Sequence, residues 1–318
     1  MSDPLDPRLF DPANIDPRVK TVNDVIEKAL AEAPATNTQQ PAELREARER
    51  GEGPFGPPKL VDEASWRQIE TPAGPQEIRV IAPENARAVY LHIHGGGWTL
   101  GAPHHSDERN LQIAQRCGVA VVSVRYRLAP EHPYPAGPDD CERACAWLIE
   151  NAKREFGTDR LLIGGESAGA HLSVVTLLRM RDRHGYSDFL GANLTYGCYD
   201  LRGTPSVRNW GERNLILSTP IIDWFLDQFT PDASVRGDAD PSPLLADVSG
   251  LCPALFTVGT LDPLIDDTLF MYMRWIAAGL PAELAIWPGC IHGWNTLPLP
   301  LTDDANARID AFLSGRLG

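Results

Sequence analysis

From about residue 66 onward, short apolar runs recur at 78–81, 88–93, 119–124, 161–163, 192–196, 254–258 and 283–287. The central runs are apolar at consecutive positions rather than at alternate ones. That pattern predicts strands buried on both faces, as in a mostly parallel sheet. Amphipathic stretches predict helices between them at 107–116, 139–156, 170–181 and 267–278, with a last helix at 303–313. Strand–helix alternation of this kind predicts a doubly wound α/β sheet. The stretch from Arg202 to about Ala246 breaks the alternation. It carries Trp210, Trp224, Phe225 and Phe229 without a strand pattern and reads as an insertion.

The first 60 residues have a different texture. Asp-Pro occurs at Asp3, Asp6, Asp11 and Asp16, and proline restricts both itself and its predecessor, so this stretch reads as extended or turning. Helices are predicted at 22–33 and 42–50, followed by a Pro/Gly-rich loop at 51–58. The expected organisation is an N-terminal arm over 1–60 that packs over the rest and one larger domain over 61–318 with an insertion near 202–230.

Composition narrows the partners. The 318 residues carry 29 basic and 43 acidic side chains, a formal net charge of −14. Such a surface repels phosphate backbones, so nucleic acid is not an expected partner. No apolar run approaches the ~20 residues of a membrane helix, and the N-terminus has no basic start or apolar segment typical of a secretory leader. The six cysteines sit in apolar segments without a metal-ligand spacing, which suits buried free thiols and a cytoplasmic location.

The chemistry is carried by spaced motifs. Gly165-Glu166-Ser167-Ala168-Gly169 follows the apolar run 161–163 and opens a helical stretch, the context of a nucleophile elbow. His94-Gly95-Gly96-Gly97-Trp98 follows the run 88–93, and its glycines allow backbone N–H groups to face a substrate. Gly96, Gly97 and Ala168 are the expected oxyanion donors. His94 reads as structural, bonding within its own loop. After Ser167 the chain has two histidines, His184 at a charged helix end and His292 in a loop after the run 283–287; His292 is the better placed base. Asp262 lies nearest a strand end. Asp266 and Asp267 compete with it but resemble the acidic start of a helix.

The set HGGGW (94–98), YRLAPEHPYPA (126–136), GESAG (165–169), DPLID (262–266) and HGW (292–294), in this order, resembles the hormone-sensitive lipase family of bacterial carboxylesterases. The resemblance implies an α/β-hydrolase fold with one catalytic domain over 61–318, a triad of Ser167, Asp262 and His292, the oxyanion donors named above, and a helical cap made from the arm 1–60 and the insertion near 202–230. It implies a structural role for 126–136, with Glu131 bonding near the elbow. It implies no metal or organic cofactor, a small ester as substrate, and leaves a homodimer open. Glu166, Ala170, His171 and Trp294 depart from the common family pattern; His171 reads as a supporting residue. Trp98, Trp294 and Trp210 are tentative pocket residues, with ordinary packing as the alternative. The rival readings are an amidase, formamidase or carbamate hydrolase using the same triad, and a non-catalytic small-molecule binding protein.

Overall fold

The computed structural model describes residues 5–53 and 55–318; the first Asp-Pro pair, Asp3-Pro4, lies outside them. Among the described residues, eight strands form one sheet: β1 (Ala64–Thr71), β2 (Gly74–Ile81), β3 (Val89–Ile93), β4 (Ala120–Val124), β5 (Leu161–Glu166), β6 (Phe189–Thr195), β7 (Ala254–Leu261) and β8 (Ala282–Ile291). Their spatial order is β1-β2-β4-β3-β5-β6-β7-β8. β1 and β2 enter antiparallel, and every pairing from β4 to β8 is parallel.

The consecutive apolar positions have the expected cause. Val89, Leu91 and Ile93 of β3 join one core cluster, while Tyr90 joins the cluster on the opposite face. Val122 and Val124 of β4 face the first cluster and Val121 the second. The first face is covered by α4 (Ala136–Phe156), α5 (Ala168–His184) and α8 (Ile265–Ala277), and the second by α3 (Asp107–Cys117) and α9 (Thr302–Gly315). β1 was not predicted: only Ile69 of its eight residues is buried, so no apolar alternation marks it. All six cysteines are buried and unpaired. Among the described residues, no helix is long and apolar enough to cross a membrane.

The Asp-Pro pairs resolve into caps. Asp6, Asp11 and Asp16 each accept a hydrogen bond from the backbone N–H two residues on, with proline at the first helical position. This is the favoured chemistry for starting a helical turn. Asp16 thereby starts α1 (Pro17–Glu32) five residues earlier than apolar periodicity indicated.

The arm packs on the domain rather than standing apart. Asn23 of α1 donates to Gly289 O at 2.7 Å, a buried contact at the end of β8. From α2 (Pro41–Glu49), Arg45 donates to Thr99 O at 2.8 Å and Ala129 O at 2.7 Å and pairs with Glu131 at 2.8 Å. Glu131 therefore binds the arm, not the nucleophile turn, correcting the role that the family resemblance implied. A partly exposed carboxylate facing a guanidinium is held there by charge.

Between β6 and β7 the chain forms α6 (Pro205–Trp210) and α7 (Thr219–Phe229), with no named strand. The two feet of this insertion are tied together: Leu201 N donates to Ser242 Oγ and Leu244 N to Tyr199 O, each at 2.9 Å. Arg213 of the insertion pairs with Glu27 of α1 at 2.9 Å.

One buried ion pair supports the second face. Arg79 on β2 donates through Nε to Asp107 at 2.7 Å, and the two side chains are 8% and 1% exposed. Removing one partner strands a buried charge. Asp107→Ala is expected to cost about 3–5 kcal/mol in denaturant unfolding, whereas removal of the exposed pair Arg50–Glu52 is expected to cost under about 1 kcal/mol.

Candidate active site

The nucleophile turn is built by close backbone approach. β5 ends at Glu166, Ser167 takes φ 57° and ψ −123°, and α5 begins at Ala168. A Cβ at Gly165 would stand 2.0 Å from Ile93 O, and one at Gly169 would stand 1.9 Å from the same oxygen. Only glycine at both positions lets the end of β3 press against the turn. Ser167 N donates to Thr195 O at 2.9 Å, which ties the turn to β6 as well.

His292 lies in the loop after β8. Its Nε2 is 2.9 Å from Ser167 Oγ and its Nδ1 is 2.8 Å from Asp262 Oδ2. The carboxylate can only accept, so Nδ1 carries the proton and Nε2 is left to accept from the serine hydroxyl. Asp262 is fully buried, and its other oxygen accepts from Leu264 N at 2.9 Å. The structure thus brings Ser167, His292 and Asp262 into one hydrogen-bonded line. His184, at the end of α5, pairs instead with Glu142.

The two competing acids have another task. Asp267 accepts from Tyr199 N at 2.6 Å, Asp200 N at 3.0 Å and Thr204 Oγ1 at 2.6 Å, and burial pushes its carboxyl up to about 7. Asp266 accepts from Ser206 N at 2.8 Å. Both therefore hold the N-terminal foot of the insertion.

The glycine loop lies directly beside the nucleophile. A Cβ at Gly95 would stand 2.7 Å from Glu166 O and 3.4 Å from Ser167 Cβ. Gly96 and Gly97 have φ of 120° and 57°, a backbone that bends where L side chains are strained. A Cβ at Gly97 would meet the Phe225 ring of α7 at 2.2 Å, so the insertion rests on this loop. Ala168 supplies the first amide of α5, at the positive end of that helix. Ser167 and 95–97 remain partly exposed between the buried His94, Trp98 and Ala168, which leaves them reachable by a ligand.

A family model described as "alpha/beta hydrolase fold" matches residues 90–296. The chain is 36% identical over 250 residues to the carboxylic ester hydrolase LipN of Mycobacterium tuberculosis, covering 76% of this chain and 66% of that protein. It is 32% identical to the ethyl acetate hydrolase of Pseudomonas putida, covering 66% of this chain and 67% of that one. Among solved structures it is similar to an ester hydrolase from the metagenome of Lake Arreo, with 31% identity, TM-score 0.85, and 96% and 99% of the two chains covered. It is also similar to the esterase of Pyrobaculum calidifontis, with 26% identity, TM-score 0.84, and 95% and 98% covered. The chain belongs to the hormone-sensitive lipase family of α/β-hydrolase carboxylesterases.

Glu166 and His171, two of the departures from the family pattern, belong to a supporting layer around the site. His92 on β3 lies with Nε2 3.1 Å from Glu166 Oε2 and Nδ1 2.8 Å from Ser123 Oγ, under the nucleophile turn. His171, one turn along α5, accepts from Trp98 Nε1 at 3.0 Å and donates from Nε2 to Pro241 O at 2.9 Å. It joins the glycine loop, the nucleophile helix and the C-terminal foot of the insertion. His94 bonds Gly95 O through Nδ1 at 2.9 Å and stacks on Tyr126, and burial holds its imidazole neutral. Sequence reasoning missed Tyr196, at the end of β6 with φ 38°, whose ring lies 4.6 Å from that of His292 and whose hydroxyl donates to Asn295. Its one signal was an aromatic residue closing a strand on the catalytic side.

The tentative pocket tryptophans fall in packed surroundings. Trp98 stacks on Phe229 at 4.6 Å and is buried. Trp294 is buried against Tyr196, and the half-buried Trp210 donates to Arg213 O at 2.7 Å.

Burial pushes the His171 imidazole down to about 4. The unfolded chain therefore takes up a proton near pH 6.5 that the native chain refuses until about pH 4. Stability is lost as pH falls through this window, by roughly 3 kcal/mol for this group. Urea midpoints measured from pH 7 to pH 4.5 are expected to fall less steeply in His171→Gln than in the wild type.

Proposed function

We propose that this carboxylesterase works through an acyl-enzyme on Ser167, with His292 as base and Asp262 as the group that orients it. The observation that carries the reading is the unbroken line Ser167 Oγ–His292 Nε2 and His292 Nδ1–Asp262 Oδ2, at 2.9 and 2.8 Å. His292 takes the hydroxyl proton as Ser167 attacks the ester carbonyl. The proton then passes to the departing alcohol, and water admitted to the same base releases the acid. The developing oxyanion is met by the amides of Gly96, Gly97 and Ala168, a type of contact worth ~10²–10³ in rate per donor.

The arm and the insertion act as the cap. The contact of Phe225 with the glycine loop and the Arg213–Glu27 pair support this assignment. A cover built from two packed segments favours small, soluble, short-acyl esters, in keeping with the ethyl acetate hydrolase among the relatives. Six buried free thiols suit a reducing, cytoplasmic compartment.

p-Nitrophenyl acetate and butyrate are expected to be turned over well and the palmitate poorly. Ser167→Ala is expected to abolish turnover, and Asp262→Asn to lower kcat by about 10⁴-fold through the wrong imidazole tautomer. Wild-type turnover of anilides or formamides in preference to every ester would move the assignment to an amidase.

A further inference from the structure

We propose that Glu49, His104 and His105 form a binding site for a divalent transition metal of the Zn²⁺ class, apart from the catalytic line. Glu49 ends α2 of the arm. The two histidines lie in the 3-10 turn Pro103–Ser106, just after the glycine loop. His104 Nε2 and His105 Nε2 lie 3.1 Å and 2.9 Å from the same oxygen, Glu49 Oε1. One ligand atom from each residue lies within 4.8 Å of the others.

Both nitrogen–oxygen separations are near those found around a four-coordinate ion. Metal–ligand bonds of ~2.0–2.2 Å place neighbouring ligand atoms about 3.3 Å apart. The two nitrogen–oxygen separations need to open by only a few tenths of an ångström to admit the ion. Two imidazoles and one carboxylate leave a fourth position for water, and this donor set suits Zn²⁺, Ni²⁺ or Co²⁺ over Ca²⁺ or Mg²⁺. Water has a way in, because the three residues line a cavity of about 800 Å³ that also touches His94 and Gly101.

The rings have no competing bond to give up. Both Nδ1 atoms are buried without a hydrogen-bond partner among the described residues, so each ring directs its polar contact at Glu49 alone. The same features limit affinity. An unpartnered Nδ1 gives no outer support to the ligand, and Arg48, held over Phe55, repels a cation. The site is therefore a moderate one, and its occupant latches α2 to the turn beside the glycine loop.

The test uses the full chain, stripped with a chelator and titrated with Zn²⁺ by calorimetry and with Co²⁺ by visible absorption. The expected result is one equivalent per chain, a four-coordinate Co²⁺ spectrum and a raised thermal midpoint. Glu49 is half exposed, so Glu49→Gln leaves the packing intact and is expected to weaken binding roughly tenfold or more. His104→Gln is expected to do the same. His292→Ala, with its fold checked by circular dichroism, is expected to bind as the wild type does. No stoichiometric binding by the wild type, unchanged binding by Glu49→Gln, or loss of binding in folded His292→Ala overturns the proposal.

Discussion

The site depends on one close approach, that of the Ile93 carbonyl to Gly165 and Gly169. Ser167 sits between these glycines at a positive φ that costs an L residue about 1–3 kcal/mol, and it holds that conformation because β3, β5 and β6 all grip the turn. Everything reactive is placed relative to this turn. Gly95 rests on Glu166 O, α5 starts at Ala168, and His292 reaches the hydroxyl from the far end of the sheet. Any side chain at either glycine would push β3 away and separate the glycine loop from the nucleophile.

Around that turn, polar links join elements distant in sequence. His92 and Glu166 connect two neighbouring strands beneath the serine, and His171 connects loop, helix and insertion. Arg45 adds the arm by binding two carbonyls and Glu131. These contacts explain how a region unlike the rest in composition becomes part of the working domain. It is joined by charge and hydrogen bonds and by a few apolar side chains, Leu9, Ile15, Val19 and Ile26, packed around the end of the sheet.

Much of this was legible in the sequence, for physical reasons that differ by element. β3 and β4 announce themselves because both faces are covered, so every position but His92 and Ser123 is apolar. The nucleophile turn and the glycine loop announce themselves because sterics allow few residues there. Asp262 could be preferred over Asp266 and Asp267 because those two open a helix, although their hold on the insertion could not be foreseen. β1 stayed hidden because solvent covers most of it and only Ile69 is buried. The partner of Glu131 stayed hidden because an ion pair between residues 45 and 131 leaves no periodic trace. The approach of Glu49 to His104 and His105 is of the same kind: fold, not spacing, makes it.

The insertion between β6 and β7 has both feet fastened, one by Asp266 and Asp267 and the other by Ser242 and the His171–Pro241 contact. Its span over α6 and α7 therefore hangs from fixed points that belong to the catalytic framework. A segment held this way behaves as a cassette. On the proposed reading, the exposed side chains of α6 and α7 can be exchanged while these anchors and the packing of Phe225 and Phe229 on the glycine loop stay in place, so selectivity can drift without the chemistry being rebuilt.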